Sequence, residues 1–209
     1  MAWQEKMIVI LGGATGLAQS IAGAFAAQGA TVVLADRSRE ALQAARAAIG
    51  GRTYPALADL RDEAHVAQLF EPLAQVDVLV CCAGVGEAAP LEDVTPEALA
   101  MTVETGVYGS YWAVRHALPR MSAGGSIIFI VPGLAPHASA QSMVGGAVEA
   151  LTRALAAEVG RRGVCVNCIS LAGGDEADLK GDVVGMVQLL AGAAHITGSV
   201  VEIGGGAGL

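Results

Sequence analysis

Residues 7–36 have the sequence MIVILGGATGLAQSIAGAFAAQGATVVLAD, in which two apolar, strand-length runs flank a helical segment. The runs MIVIL (7–11) and TVVLA (31–35) are continuously apolar, as strands are when a sheet is covered on both faces. A glycine-rich turn follows the first run and leads into a predicted helix at about 16–28. Because parallel strands need a crossover of this length, the stretch predicts a strand–helix–strand unit of a parallel sheet.

The same alternation continues to the end of the chain. Further predicted strands are 53–57, 76–81, 126–131, 164–169 and 199–203, and further predicted helices are 38–49, 61–74, 96–121, 141–161 and 182–192. No linker, repeat or low-complexity tract divides the 209 residues. We therefore predict a single α/β domain spanning 1–209, with a doubly wound, parallel, seven-stranded sheet and helices on both faces.

The composition excludes several classes of partner. Hydrophobic residues make up 54% of the chain and charged residues 15%, and the formal net charge is -8. Nucleic acids and anionic membranes need clustered lysine and arginine, whereas the only lysines are Lys6 and Lys180. We expect no membrane span, because no apolar run is long enough. The N-terminus lacks the features of a signal peptide, so we expect a cytoplasmic location.

The four cysteines do not form an evident metal or redox site. Cys165 and Cys168 have the C-x-x-C spacing, but they lie in a predicted strand that would direct the two thiols to opposite faces. Cys81 and Cys82 end another predicted strand. Free cysteine is a common core residue, so we expect four buried structural thiols and no bound metal.

The glycine-rich turn has the pattern of a nucleotide-binding loop. Gly12 and Gly16 allow a backbone to approach a pyrophosphate, which the N-terminus of the helix entered at Leu17 would attract. Asp36 ends the second strand, where a carboxylate can accept hydrogen bonds from ribose hydroxyls and repel a 2'-phosphate. NAD is thus the candidate cofactor in preference to NADP, although Arg37 reduces that preference. The alternative is a plain turn and a solvated aspartate, with weak or absent NAD binding.

These residues and the motifs around them resemble the short-chain dehydrogenase/reductase family over nearly the whole chain. The further matching motifs are Asp59-Leu60, VDVLVCCAG (76–84), GGSIIFI (124–130), AVEALTRALAAEVGRRGVCVNCIS (147–170) and HITGSVVEIGGG (195–206). The resemblance implies a Rossmann-like fold. It also implies that Asp59, Leu60, Ala83 and Gly84 contact the cofactor.

The resemblance fails at the residues that carry the family's chemistry. There, a tyrosine exchanges the proton, a lysine holds the nicotinamide ribose and lowers the tyrosine pKa, a serine orients the carbonyl and an asparagine supports a water relay. Alignment on AVEALTRALAAE places Gln141 at the tyrosine position and Gly145 at the lysine position. Gly106 occupies the asparagine position, and Pro132 occupies the serine position. The resemblance therefore predicts that no catalytic residue remains at these four positions.

From this we expect a non-catalytic structural or regulatory subunit. The family's oligomer surface lies on the helices predicted at 96–121 and 141–161, so we expect a homo-oligomer, or a hetero-oligomer with an active paralogue. Aromatic and histidine side chains recur at helical spacing in the first of these: Tyr108, Tyr111, Trp112 and His116. The alternative is that these side chains are partly core.

Two other functions stay open at this point. An active oxidoreductase could use relocated groups, of which the candidates are His137, Ser139, Glu104 and the Tyr111-x-x-x-Arg115 pair. The chain could also be a sensor that binds NAD without turnover.

Overall fold

The computed structural model describes residues 3–82, 88–172 and 176–204. Its strands are β1 (Met7–Leu11), β2 (Thr31–Asp36), β3 (Thr53–Leu57), β4 (Val78–Cys81), β5 (Ser126–Pro132), β6 (Cys165–Leu171) and β7 (Val200–Ile203). They form one seven-stranded sheet in the order β3-β2-β1-β4-β5-β6-β7. Every pairing between these strands is parallel, which confirms the predicted doubly wound sheet.

The helices connect these strands and cover the sheet. They are α1 (Gly16–Ala26), α2 (Arg39–Ile49), α3 (Glu63–Phe70), α4 (Pro96–Val103), α5 (Gly109–Ala117), α6 (Ser139–Val159) and α7 (Glu176–Gly192). Short 3-10 turns lie at Leu91–Asp93, Leu118–Arg120 and Gly160–Arg162, and a π-helical turn lies at Glu104–Tyr108. The hydroxyls of Ser38 and Thr95 cap α2 and α4, as their sequence positions indicate.

Alternate residues of each central strand enter different cores. In β1, Val9 and Leu11 join the cluster beneath α3, α5 and α6, whereas Ile8 and Ile10 join the cluster beneath α1, α2 and α7. All four side chains are fully buried. Each buried aliphatic side chain contributes roughly 1.5–3 kcal/mol relative to exposure. This two-sided burial is the physical reason for the continuous apolar runs in the sequence.

Three predicted helices differ from the observed ones. The helix predicted at 96–121 is interrupted by the π turn and ends in a 3-10 turn. The helix predicted at 61–74 ends at Phe70, because Pro72 has no N–H for a helical hydrogen bond and restricts the residue before it. The helix predicted at 182–192 begins earlier, at Glu176, in a segment rich in helix-forming residues.

Candidate nucleotide site

The carboxyl ends of β1 and β4 mark the point where the strand order reverses. Chain connections leave β1 toward β2 on one side, and β4 leads toward β5 on the other. In open α/β sheets, ligands bind in the crevice outside the strand ends at such a point, and a dinucleotide spans both halves of the sheet. The site therefore has a half over β1, β2 and β3 and a half over β4, β5 and β6.

Asp36 and the glycine-rich turn meet in the first half. One carboxylate oxygen of Asp36 accepts a hydrogen bond from the Ala14 N–H at 3.1 Å, and the other accepts from the Ser38 N–H at 3.2 Å. The turn itself needs a glycine at Gly12, whose φ is 74°. A carboxylate has about four acceptor positions, so Asp36 keeps capacity for a ribose hydroxyl.

A cleft of about 250 Å³ opens beside this turn. Its lining residues come from the turn, the ends of β2 and β3, α4 and the π turn: Gly12, Thr15, Asp36, Arg37, Ala58, Asp59, Leu60, Arg61, Met101, Thr102 and Thr105. The structure thus brings together Gly12, Asp36, Arg37, Asp59 and Leu60 of the predicted cofactor contacts.

The remaining predicted contacts do not line this cleft. Gly16 is the first residue of α1, and the Leu17 side chain is buried in the core beneath α1, so at this position only the backbone is left to face a ligand. Ala83 and Gly84 lie outside the described residues.

Arg61 is a member of the cleft that the sequence did not single out. Its guanidinium binds Asp59 through two nitrogens, with Nη2 at 2.6 Å from Oδ2 and Nε at 3.0 Å from Oδ1. The Arg61 side chain lowers the pKa of Asp59 to about 2. The Asp-x-Arg spacing directly after β3 is the signal that would have identified this pair.

The second half of the crevice differs sharply from the first. A Cβ atom placed on Gly145 would overlap the main-chain carbonyl oxygen of Pro132 at the end of β5. The next residue, Gly133, donates its N–H to Leu171 of β6 at 2.8 Å and accepts from the Ser142 hydroxyl of α6 at 3.2 Å. The connection from β5 to α6 is therefore packed between the start of α6 and the end of β6.

The positions that the alignment matches to the family's tyrosine and asparagine lie in α6 and in the π turn. Gln141 is 7% exposed and lies one helical turn before Gly145 in α6. Gly106 is buried within the π turn, and its carbonyl accepts a hydrogen bond from the Ser110 hydroxyl at 2.6 Å. The position aligned with the family's asparagine therefore lies in a π turn, a distortion that is frequent at functional sites.

Of the relocated candidates, Glu104 is absent from the cleft lining, but together with Asp59, the main cause, it raises the pKa of the lining residue Arg61. The others lie outside the cleft. His137 and Ser139 are exposed at the start of α6, and neither belongs to the cleft lining. On α5, Arg115 lies over the Trp112 ring at 5.6 Å and pairs with Glu63 of α3 at 3.6 Å. The Tyr111 ring contacts the edge of Trp112. This pair of residues is thus engaged on the outer surface of α5 and α3.

The cysteines are buried free thiols, as predicted. Cys168 joins the core beneath α6, whereas the Cys165 sulfur lies 3.5 Å from the Ala194 carbonyl oxygen near the end of α7, on the other face. Burial raises the pKa of Cys82 and of Cys168 to about 12.

The described ranges contain neither a candidate metal cluster nor a helix that could span a membrane. Residues 3–82, 88–172 and 176–204 contain no cluster of three or more His, Cys, Asp or Glu that could hold a metal ion. Among the helices described, none has the length and apolar character needed to cross a bilayer.

The residues that the structure describes at this edge of the sheet fit only part of a bound NAD. The cleft offers a carboxylate for ribose hydroxyls, an apolar surface and the N-terminus of α1 at the adenosine end. At the nicotinamide end, the contact between Gly145 and Pro132 leaves no room for a side chain that could hold the second ribose.

Comparison with known proteins is consistent with this fold. Residues 12–202 match a family model described as enoyl-(acyl carrier protein) reductase. A short-chain dehydrogenase/reductase variant from Serratia marcescens superposes with a TM-score of 0.90 at 26% identity, with full coverage of both chains. A dehydrogenase/reductase from Sinorhizobium meliloti superposes with a TM-score of 0.87 at 30% identity, covering 99% of this chain and 96% of that one.

Sequence relatives lead to the same family. An uncharacterized oxidoreductase of Methylorubrum extorquens is 30% identical over 97% of this chain and 98% of its own length. A (2S)-[(R)-hydroxy(phenyl)methyl]succinyl-CoA dehydrogenase subunit from Thauera aromatica is 31% identical over 81% of this chain and 73% of its own. The chain therefore belongs to the short-chain dehydrogenase/reductase family.

Proposed function

We propose that this chain is a non-catalytic member of the family that acts as a structural or regulatory subunit. The observation that carries the proposal is the packing of Gly145 against the Pro132 carbonyl. A lysine at this position would need its Cβ where that oxygen lies. A side chain at position 145 would therefore require the backbone of α6 or β5 to move.

The neighbouring positions support the same proposal. Gln141 carries no proton that titrates near neutral pH, and loss of a positioned general acid or base typically costs about 10²–10⁴ in rate. Two groups that could replace it lie outside the cleft. His137 is exposed, and Arg115 forms an ion pair with Glu63 on the surface of α3 and α5.

Absorbance at 340 nm tests the proposal directly. The purified chain, with NAD or NADP and a panel of alcohols, is expected to give no change above a protein-free control. Cofactor-dependent turnover that survives repurification would refute the proposal and favour an oxidoreductase with relocated residues.

A revertant gives an independent test. The variant Gly106→Asn, Pro132→Ser, Gln141→Tyr and Gly145→Lys restores the family's four side chains. We expect it to show no activity and to be less stable, because Gly145→Lys forces α6 away from β5. The same variant with Gly145 retained is the matched control, and it is expected to fold more stably.

We further propose that α4–α5 and α6 form the oligomer surface, with a second copy of the chain or a paralogue as the partner. Tyr108 and Tyr111 are about half exposed on one side of this surface. The outward face of α6 consists largely of small residues that allow close helix packing: Gly146, Ala147, Ala150, Ala154 and Ala157. Aromatic residues are enriched in interface cores. One relative is named as a dehydrogenase subunit, which supports an oligomeric role.

Light scattering after size exclusion tests this surface. Ala150→Arg places a charged side chain on the outward face of α6 and is expected to shift an oligomer toward the monomer. Ala44→Arg, at an exposed position of α2, is the matched control and should leave the mass unchanged. If the chain is monomeric alone, co-expression with an active family member tests the paralogue, and no complex in either experiment would contradict the proposal.

NAD binding without turnover is the second candidate function, and the cleft beside Asp36 favours it. The acidic side chain favours NAD over NADP. A calorimetric titration with each cofactor separates a sensor from a pure scaffold. We also propose a cytoplasmic location, since four free thiols suit a reducing compartment.

A further inference from the structure

The cleft covers one half of the crevice only. Among the described residues, its lining comes from the turn after β1, the ends of β2 and β3, α4 and the π turn, and none of it comes from β5, α6 or β6. The volume of this open cleft is about 250 Å³. A complete dinucleotide needs a second binding region beyond this space.

Among the described residues, the part of the second region where β5, α6 and β6 meet is packed with main-chain atoms. The Pro132 carbonyl lies against Gly145, and Gly133 is hydrogen bonded to both Leu171 and Ser142. A Cβ on Gly133 would already lie 3.1 Å from the Leu171 carbonyl group and the Ser170 hydroxyl. Space here could be gained only by moving β5 or α6, because backbone atoms cannot rotate away as a side chain does.

The cleft lining suits one nucleotide. Ala58, Leu60 and Met101 supply an apolar surface for a base, and the carboxylate of Asp36 can accept hydrogen bonds from ribose hydroxyls. Both oxygens of the Asp59 carboxylate accept hydrogen bonds from Arg61, and the acceptor capacity that remains suits an exocyclic amino group such as that of adenine. The Arg37 guanidinium provides positive charge at the same cleft for phosphate, whereas the Arg61 guanidinium is paired with Asp59.

We infer that this cleft binds a single adenosine nucleotide, such as an adenosine diphosphate, and that the nicotinamide half of NAD adds no affinity. The inference rests on the proposed non-catalytic function, and it changes the ligand class of the site from a redox cofactor to an adenine mononucleotide. Occupancy of the cleft would then depend on the concentration of an adenosine nucleotide and not on the presence or oxidation state of a nicotinamide group.

Calorimetry on the full chain tests the inference with four probes: ADP, ADP-ribose, NAD and nicotinamide mononucleotide. We expect ADP, ADP-ribose and NAD to bind with dissociation constants within about threefold of one another, and nicotinamide mononucleotide not to bind. A single additional hydrogen-bonding contact to the nicotinamide half would make NAD about tenfold tighter.

A pair of variants locates the binding. Met101→Trp fills the cleft and is expected to weaken ADP at least tenfold. Leu99→Trp lies two residues away on α4, is similarly exposed and is absent from the lining, so it should bind ADP like the wild type. Circular dichroism checks that both variants fold. If one does not, the comparison of the four probes on the wild-type chain still tests the inference.

The outcomes separate this inference from the proposed function. NAD binding more than tenfold tighter than ADP, or no binding of any adenosine nucleotide, overturns the inference. If either result is obtained and the absorbance at 340 nm does not change, the non-catalytic function is retained. Equal affinities accompanied by turnover would support the mononucleotide cleft and overturn the non-catalytic function.

Discussion

The adjacent glycines of α6 permit a sharp test of the packing at Gly145, the position that the alignment matches to the family's lysine. Gly145 and Gly146 share one helix interior, yet they differ completely in surroundings. A Cβ on Gly145 overlaps the Pro132 carbonyl oxygen, whereas a Cβ on Gly146 meets no atom within 4 Å. The substitutions Gly145→Ala and Gly146→Ala therefore add the same methyl group to the same helix, with opposite expected effects.

The magnitudes follow from two terms. Alanine is favoured over glycine by about 1 kcal/mol in a helix interior, and both variants gain this amount. Overpacking costs typically about 1–3 kcal/mol, and the upper end applies to Gly145 because the obstacle is a backbone carbonyl. We expect Gly146→Ala to raise the free energy of unfolding by about 1 kcal/mol and Gly145→Ala to lower it by about 2 kcal/mol.

Urea unfolding followed by circular dichroism measures both values by linear extrapolation. Protein concentration should be varied, since an oligomer adds a concentration-dependent term and Gly146 lies on the proposed oligomer surface. Equal stability of the two variants would refute the close packing of α6 on β5. It would also remove the main support for the non-catalytic function.

Three further predictions concern groups around the cleft and in the core. The folded pKa of Asp59 is lowered to about 2, so the pair with Arg61 contributes its full stability above the unfolded pKa of about 4. In urea titrations, Asp59→Asn should therefore be less stable than the wild type at neutral pH. The difference should shrink as the pH falls from about 4 to 2. All four cysteines are buried, and burial raises the pKa of Cys82 to about 12. At pH 8, fewer than one thiol per native chain should therefore react with a disulfide reagent, whereas all four should react after denaturation. Asp36→Ala removes the acceptor of two backbone N–H groups and should cost about 1–3 kcal/mol, whereas Asp36→Asn, which keeps one acceptor oxygen, should cost less.

The sheet was predictable because its strands are buried on both faces. A run such as MIVIL alternates between two cores, so every residue must be apolar, and this pattern is visible without a structure. Ser38 and Thr95, whose hydroxyls cap α2 and α4, are of the residue types preferred at helix N-termini. The π turn was not, because an inserted residue at Glu104–Tyr108 leaves the apolar pattern on both sides intact.

The site was only half predictable. Asp36 follows a strand and could be placed beside the turn from its position alone. The sequence also revealed a glycine where the family has a lysine, but not the reason that a side chain is excluded there. That reason is the position of the Pro132 carbonyl, which depends on how two elements pack. The ion pair of Asp59 and Arg61 likewise depends on side-chain conformation at the end of a strand.

The hydrogen bonds of Asp36 have a consequence for efforts to engineer cofactor preference. Replacing this acid is the obvious way to admit a 2'-phosphate, but the same carboxylate ties the turn after β1 to the loop after β2. Selectivity and loop geometry are thus coupled through one side chain. A redesign that removes the charge must also supply a neutral acceptor for the Ala14 amide. Without one, the turn would no longer be preorganised, and part of the binding free energy of each ligand would be lost in ordering it.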